Sequence, residues 1–173
     1  MFIELHSRSA FSFLEGASLP EDLMAICANL NMPAMALLDR DGVYGAPRFY
    51  MAAKKAGIKA HMGAEVTCEI AGLTNFRIDE FKNLNSRRIL NSKIRKFDNS
   101  TIASFRLPLL VSSRTGYQNL CRLITKMKLR AQKGEGAVRK EELEEHAAGL
   151  ICLTGDDDGP LARALARGGM EEA

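Results

Sequence analysis

Short apolar segments alternate with amphipathic helical segments along most of the chain, and this alternation constrains the fold more than any other feature. The segment PAMALLD is a continuous apolar run too short for a helix, which predicts a buried strand. It is followed by APRFYMAAKKAG, a predicted helix closed by Gly57, and then by a third predicted strand, IKAHMGAEVTCE. Buried strands separated by amphipathic helices predict a parallel α/β fold.

The same alternation continues toward both ends of the chain. A short strand is predicted at Phe2–Leu5, and SLPEDLMAICANLN predicts a helix in which Ser18 and Glu21 have the spacing of a capping box. The apolar face predicted for this helix consists of Leu23, Ile26, Cys27 and Leu30. The later segments predict the strand LPLLVSS, the helices GYQNLCRLITKMKLRA and KEELEEHAAG, the strand LICLTG and the helix GPLARALARGG.

Composition excludes several classes of protein. A chain of 173 residues that is 46% hydrophobic can bury one sizeable core, unlike a disordered or fibrous chain. The sequence has no apolar run of bilayer length and no secretory signal pattern at its start, so we expect a cytoplasmic protein without membrane contact. The four cysteines lack C-x-x-C spacing and are expected to be buried thiols: Cys27, Cys68, Cys121 and Cys152.

The net charge of +3 is unevenly distributed along the chain. Between Gly72 and Arg106 there are eight Lys or Arg residues against three Asp or Glu, while the rest of the chain is slightly acidic. This basic, Asn- and Ser-rich composition predicts an insertion at about residues 70–105 of the parent domain. Two interpretations remain: an arm that faces DNA or a partner, or a flexible surface excursion between two strands.

Polar side chains follow several of the predicted strands at the point where each strand ends. In parallel α/β folds these positions gather at one edge of the sheet, where active sites form. They are His6, Arg8 and Glu15 after the first strand, Asp39, Arg40 and Asp41 after the second, His61 or Glu65 on the third, and Asp156, Asp157 and Asp158 after the last. The sequence offers no nucleophile with a base beside it and no glycine-rich phosphate loop.

Other candidate ligands have simpler interpretations. The acidic segment GDDDG lacks the alternating oxygen ligands of a calcium loop and precedes Pro160 at a helix start, so we interpret it as helix capping. His61 and His146 have no partner at ligand spacing and are expected to be structural or surface residues.

Three long stretches give the chain a family resemblance. ELHSRSAFSFLEGAS, the segment from LPEDLMAICANLNMPAMALLDRDG to KAHMGAEVT, and LPLLVSSRTGYQNLCRLIT resemble the N-terminal PHP (polymerase and histidinol phosphatase) domain of bacterial C-family DNA polymerases. Within that family they are most similar to the error-prone relatives of the DNA polymerase III alpha subunit. The resemblance covers about Phe2–Thr67 and Arg106 onward. It implies a distorted β/α barrel, present here in part, with a multi-metal site at its mouth.

Two metal-ligand motifs of the family are altered in this chain. Where the family has H-x-H, His6 matches the first histidine and Arg8 replaces the second. Where the family has D-H-G, Asp39 is unchanged and Arg40 replaces the histidine.

The remaining family positions are acidic. Glu65 matches the glutamate of G-x-E, and Glu15 lies where such polymerases have an acidic residue. The resemblance therefore implies a vestigial metal set whose members are His6, Glu15, Asp39 and Glu65.

The two arginines set the chemistry of this pocket. A guanidinium group stays protonated and offers only hydrogen-bond donors, so it cannot coordinate a cation, and it repels one. We favour an internal ion-pair network in which Arg8 and Arg40 replace the metals, because buried carboxylates need cationic partners. Solvated side chains and surviving binding of a single metal are the alternatives. We expect no cofactor on this chain and assign no catalytic residue.

The resemblance also implies a function. The parent reaction is nucleotidyl transfer by a DNA polymerase in replication or repair synthesis, which uses Mg²⁺ held by carboxylates that these residues do not include. We predict a non-catalytic scaffold domain with a degenerate metal site. Its expected partners are the remainder of the polymerase chain, DNA through that chain, and other replication or repair subunits. A free-standing PHP metal-dependent phosphoesterase and a truncated interaction module are the alternatives.

Overall fold

A computed structural model of the protein describes residues 2–69, 104–132, 134 and 136–168. This part of the chain forms five strands and five helices. In chain order they are β1 Glu4–Ser7, α1 Pro20–Asn29, β2 Ala34–Arg40, α2 Ala46–Ala56, β3 Lys59–Glu69, β4 Ser104–Val111, α3 Arg114–Arg130, α4 Lys140–His146, β5 Leu150–Cys152 and α5 Pro160–Gly168.

The five strands form one sheet in the order β1-β2-β3-β4-β5. The first three strands are parallel, whereas β4 is antiparallel to both β3 and β5. The predicted α/β class, with helices alternating with a mostly parallel sheet, is confirmed. The direction of β4 departs from that prediction, and it brings the first residues of β4 to the edge where the parallel strands end.

Two apolar clusters attach the helices to the sheet. The first joins α1 and α2 to β2 through Met24, Cys27, Met35, Leu37, Phe49 and Ala53. The second joins α3 to β3 and β4 through Ala64, Val66, Cys68, Leu107, Leu109, Leu120, Leu123, Ile124, Met127 and Val138. Residues 34–39 of β2 are buried without interruption, as expected for a central parallel strand.

Residues next to the helices explain where α2 ends and where α3 begins. Gly57 adopts φ 71°, a left-handed conformation that glycine tolerates, directly after α2. The Ser113 hydroxyl accepts a hydrogen bond from the Gly116 backbone N–H and so caps α3.

Two details predicted for α1 are wrong. The residue before the helix is Leu19, and no side chain caps the helix. The Ser18 backbone carbonyl lies in the preceding loop, where it accepts a hydrogen bond from the Ala10 N–H. The buried stripe contains Met24 and Cys27, while Ile26 and Leu30 are exposed. The helix therefore packs through a face rotated from the predicted one.

Smaller differences concern strand boundaries and thiols. Strand β1 begins two residues later than predicted, and Phe2 is exposed. Of the four free thiols, Cys27 and Cys68 are buried as predicted, whereas Cys152 is exposed. The insertion predicted at about 70–105 lies mostly outside the described residues, and Ser104 already belongs to β4. Within the described residues, no helix is both long and apolar enough to cross a bilayer.

Candidate functional site

Seven charged or titratable side chains meet at the edge where β1, β2 and β3 end and β4 begins. We call this group the mouth network; its members are His6, Arg8, Glu15, Arg40, Glu65, Arg106 and Asp156. They come from four strands, from the loop after β1 and from the loop after β5. The network therefore connects segments that are far apart in the sequence.

Glu65 is the buried centre of the mouth network. Its side chain is fully buried, and its Oε1 atom lies 2.7 Å from Arg8 Nη2 and 3.0 Å from His6 Nε2. Burial raises the pKa of Glu65, but the hydrogen bonds and charges of His6 and Arg8 outweigh burial and hold the pKa below its ordinary value. Glu65 is therefore a carboxylate that the surrounding cations keep ionised.

Arg8 lies between two carboxylates. Besides its bond to Glu65, its Nη2 atom donates to Asp156 Oδ2 at 3.1 Å. Burial lowers the pKa of Arg8, but the hydrogen bond to Glu65 and the charges of Glu65 and Asp156 outweigh burial. The pKa of Arg8 is therefore raised above its ordinary value. The guanidinium is thus a permanent cation shared by the ends of β3 and β5.

Glu15 is held by the other two arginines. Arg40 Nη1 donates to Glu15 Oε1 at 2.5 Å. Arg106 donates to both carboxylate oxygens at 2.8 Å, a bidentate pair with the planar geometry that a guanidinium favours. Each predicted arginine therefore contacts a predicted carboxylate, as the ion-pair interpretation requires, while the role of these contacts stays a prediction.

Asp39 has a separate environment. In the register of β2 with β3, Arg40 is the partner of Glu65, so its neighbour Asp39 belongs to the opposite face of the sheet. Asp39 accepts hydrogen bonds from the Ser9 N–H, the Ser9 and Ser12 hydroxyls and the Gly45 N–H. The structure therefore does not bring Asp39 together with the other predicted ligands.

Gly45 makes this close contact with Asp39 possible. A Cβ atom at position 45 would lie 2.5 Å from Asp39 Oδ2, well inside van der Waals contact. The absence of a side chain lets the first turn of α2 approach the carboxylate.

Sequence reasoning missed Arg106 and the two serines. Arg106 stands near the start of β4, and a rule that examines residues after parallel strands overlooks the start of an antiparallel one. The serines lie within the SRSAFS segment, where their spacing carries no signal of a buried partner. An antiparallel assignment for β4 is the signal that would have identified Arg106.

The acidic segment after β5 contributes Asp156 to the site, as the position of this segment after a strand predicts, and its role as a helix cap stays a prediction. Asp156 lies at the mouth and pairs with Arg8, because β5 ends beside β4 at the same edge. Burial raises the pKa of Asp156, but the Asp158 N–H and the charge of Arg8 lower it to below its ordinary value. His61 is exposed, and the buried His146 contacts the Glu142 carbonyl through Nδ1 at 2.8 Å, so both are structural or surface residues as predicted.

The described residues contain one group of potential metal ligands. One ligand atom each from His6, Glu65 and Asp156 lies within 4.8 Å of the others. However, Arg8 Nη2 contacts both of these carboxylates, at 2.7 and 3.1 Å. A guanidinium in this position supplies the positive charge that a metal would supply and repels a second cation. The donor set as it stands therefore does not fit a divalent metal.

Comparison with known proteins defines the family. Residues 4–173 match the PHP domain. The chain belongs to the PHP domain family. The DNA polymerase III subunit alpha of Buchnera aphidicola subsp. Acyrthosiphon pisum is 34% identical over 169 residues, covering 96% of this chain and 12% of the relative. The error-prone DNA polymerase of Anaeromyxobacter sp. strain K is 37% identical over 177 residues, covering 95% and 13%.

This PHP domain is thus homologous to the N-terminal region of bacterial DNA polymerase III alpha subunits and error-prone DNA polymerases, which confirms the predicted resemblance. The chain spans about an eighth of the length of these relatives, as the covered shares of 12% and 13% show.

Solved structures also show similarity to the chain. A protein from Bifidobacterium adolescentis, assigned as a metal-dependent phosphoesterase, aligns with a TM-score of 0.45 and 14% identity. The alignment covers 74% of this chain and 34% of that one. An amidohydrolase from Chromobacterium violaceum aligns with a TM-score of 0.46 and 18% identity, covering 72% and 32%.

Proposed function

We propose that this PHP domain is a non-catalytic scaffold of a DNA polymerase that acts in replication or repair synthesis in the cytoplasm. One observation carries the proposal: the Arg8 guanidinium lies against Glu65 and Asp156, where the family has a metal site. The homology to DNA polymerase III alpha subunits and error-prone polymerases supplies the polymerase context.

The chemistry of the mouth supports a structural role. Hydrolysis by a metal site requires a bound cation that activates water or polarises a phosphoryl oxygen. At this mouth the carboxylates already accept hydrogen bonds from arginines that cannot act as bases or ligands. The pair formed by Glu15 and Arg106 joins the loop after β1 to β4, and the pair formed by Arg8 and Asp156 joins that loop to the segment after β5. Such cross-links hold the strand ends in place.

The extent of the domain and its partners are part of the same proposal. We assign residues 1–173 to the N-terminal part of a PHP domain that carries an insertion at about residues 70–105. The long relatives support an attachment to a polymerase body, with Mg²⁺-dependent nucleotidyl transfer, DNA binding and contacts with other subunits belonging to the whole polymerase.

Metal analysis tests the loss of the metal site. The purified protein is expected to hold no stoichiometric Zn²⁺, Mn²⁺ or Fe after dialysis, and to hydrolyse bis(p-nitrophenyl) phosphate no faster with added metal than without. Arg48→Gln, measured in parallel, is the matched control and should give the same result as the wild type. Arg48 makes a bidentate pair with Glu21 away from the mouth. One bound equivalent of metal together with metal-dependent hydrolysis would contradict the proposal.

A chimera tests the scaffold role. Residues 1–173 would replace the matching region of the Anaeromyxobacter error-prone DNA polymerase, and primer extension would be measured after incubation at rising temperatures. Arg8→Met in the chimera is expected to lower the temperature at which activity is lost, without changing the initial rate at low temperature. An unchanged temperature would show that the polymerase does not depend on the mouth network.

A single-metal phosphoesterase is the second candidate, and the group formed by His6, Glu65 and Asp156 favours it. For this function Arg8 would have to leave both carboxylates when a metal binds. The metal analysis separates the two candidates directly.

A further inference from the structure

Arg106 occupies a position in the mouth that the two altered family motifs do not include. We propose that Arg106 is the residue that closes the mouth to divalent cations, so that histidine at positions 8 and 40 restores metal binding only when Arg106 is also neutralised. This inference rests on the proposed loss of the metal site.

The first support is the bidentate pair with Glu15. Arg106 Nη1 lies 2.8 Å from Glu15 Oε2, and Arg106 Nη2 lies 2.8 Å from Glu15 Oε1. Arg40 contacts Oε1 alone. Removal of the Arg40 charge therefore leaves both Glu15 oxygens hydrogen-bonded to Arg106 and unavailable to a metal.

The second support is the free oxygen of Glu65. Glu65 Oε2 is buried and has no hydrogen-bond partner among the described residues. Arg106 Nη1 lies 3.8 Å from this atom, within ion-pair distance. A divalent cation bound to Glu65 would therefore meet the Arg106 charge in a buried site, where repulsion is screened much less than in water.

The third support is the way in which Arg106 is held. Its backbone N–H donates to the Asp158 carbonyl at 2.9 Å, and its position in β4 pairs it with Thr67 of β3. Its side chain is 19% exposed. Burial lowers the pKa of Arg106, but Glu15 raises it beyond its ordinary value, so the side chain stays charged. Both ends of the residue are therefore held, the backbone by Asp158 and the β3 pairing and the guanidinium by Glu15.

The test compares two multiple variants of the full chain. One carries Arg8→His and Arg40→His, and the other carries both changes together with Arg106→Gln. Zn²⁺ and Mn²⁺ are the probes, measured by elemental analysis after dialysis, by calorimetric titration and by the rise in thermal midpoint on adding metal. Groups that neighbour metal ligands change affinity by about 10–100-fold, so the triple variant is expected to bind at least about ten-fold more tightly than the double variant.

Two matched variants test whether the charge of Arg106, the planar shape of its guanidinium or its position accounts for the effect. Arg106→Lys in the double-variant background keeps the charge but lacks the planar fork, and it is expected to bind metal as weakly as the double variant. Arg48→Gln in the same background removes an arginine from outside the mouth and should have no effect. Arg106→Met, which keeps much of the apolar stem, replaces Arg106→Gln where the glutamine variant does not fold.

Equal metal affinity in the double and triple variants would overturn this inference, whether both bind tightly or neither binds. That result would leave the proposed scaffold function intact, since the latter depends on the wild-type protein. Conversely, stoichiometric metal together with metal-dependent hydrolysis in the wild-type protein would contradict the scaffold function before any variant is made.

Discussion

Two buried carboxylates lie on neighbouring strands, Asp39 on β2 and Glu65 on β3, and the protein compensates their charges in different ways. Each residue is 1% exposed. Asp39 accepts four hydrogen bonds from neutral donors of Ser9, Ser12 and Gly45. Glu65 instead pairs with Arg8 and His6 at one oxygen, while its second oxygen has no hydrogen-bond partner among the described residues and lies 3.8 Å from Arg106 Nη1.

The difference separates a carboxylate held by nearby backbone and hydroxyl groups from one held by charged side chains of other strands and loops. The donors around Asp39 are set by the loop after β1 and the first turn of α2, so this carboxylate organises local structure. The partners of Glu65 come from β1, the loop after β1 and β4. Glu65 therefore keeps one buried oxygen without a hydrogen bond among the described residues, whereas both oxygens of Asp39 accept hydrogen bonds.

The largest effect is expected from Arg8→Met, which leaves Glu65 without its closest cation. Removing one partner of a buried ion pair costs about 3–5 kcal/mol of unfolding free energy. Here the Glu65 side chain is fully buried and that of Arg8 is 22% exposed, so this range applies. Denaturant midpoints of the variant and the wild type give the loss. The control is Arg48→Met, and a loss no larger than that of the control would show that Glu65 does not need Arg8.

Acidification is expected to remove most of the difference in unfolding free energy between the wild type and Arg8→Met. The folded-state pKa of Glu65 lies below its ordinary value, so its pairing contributes fully above about pH 4.3 and is lost as pH falls through the lowered pKa. Without Arg8, burial is less opposed, so the Glu65 pKa of the variant lies above that of the wild type. The gap in stability between wild type and Arg8→Met should therefore be largest at high pH and narrow as pH falls through the variant's pKa and then the wild type's. Urea unfolding across this range measures it. A gap that persists at the acid end would assign the effect of Arg8 to packing instead of charge.

A smaller loss is expected from Asp39→Asn. The amide keeps the size of the side chain but weakens bonds that Asp39 accepts as an anion, and hydrogen bonds to charged groups contribute about 1.5–3 kcal/mol. We expect a loss of about 2 kcal/mol in unfolding free energy, measured by urea denaturation. Ser12→Ala, which removes one donor, should cost about 1 kcal/mol. A greater loss than that of Arg8→Met would reverse the comparison between the two carboxylates.

The smallest effect is expected from Arg40→Met. The Arg40 side chain is 42% exposed, and Glu15 keeps its bidentate pair with Arg106. Exposed ion pairs contribute about 0–1 kcal/mol, and the loss should fall in that range in the same denaturation assay. The two arginines that looked equivalent in the sequence are therefore expected to differ severalfold in their effect. A loss as large as that of Arg8→Met would mean that Glu15 depends on Arg40 more than the geometry indicates.

Much of the site was predictable from the sequence. The rule that polar residues gather after parallel strands, together with the family motifs, identified His6, Arg8, Glu15, Arg40 and Glu65, and the structure brings these five together. The same rule grouped Asp39 with them, because spacing along a strand end does not state which face a residue occupies. One step along a strand moves a side chain to the other face, and Asp39 precedes Arg40 by that one step.

The sequence by itself determined the fold class and showed which two family motifs carry an arginine. Buried strands and amphipathic helices in alternation predict a mostly parallel α/β sheet, and a guanidinium cannot ligate a cation in any fold. Only the tertiary structure decided which cation faces which carboxylate. Arg106 reaches Glu15 because β4 runs antiparallel, and Asp156 reaches Arg8 because β5 ends beside β4. Ion pairing depends on distance and burial, and both are set here by the direction and register in which consecutive strands pair.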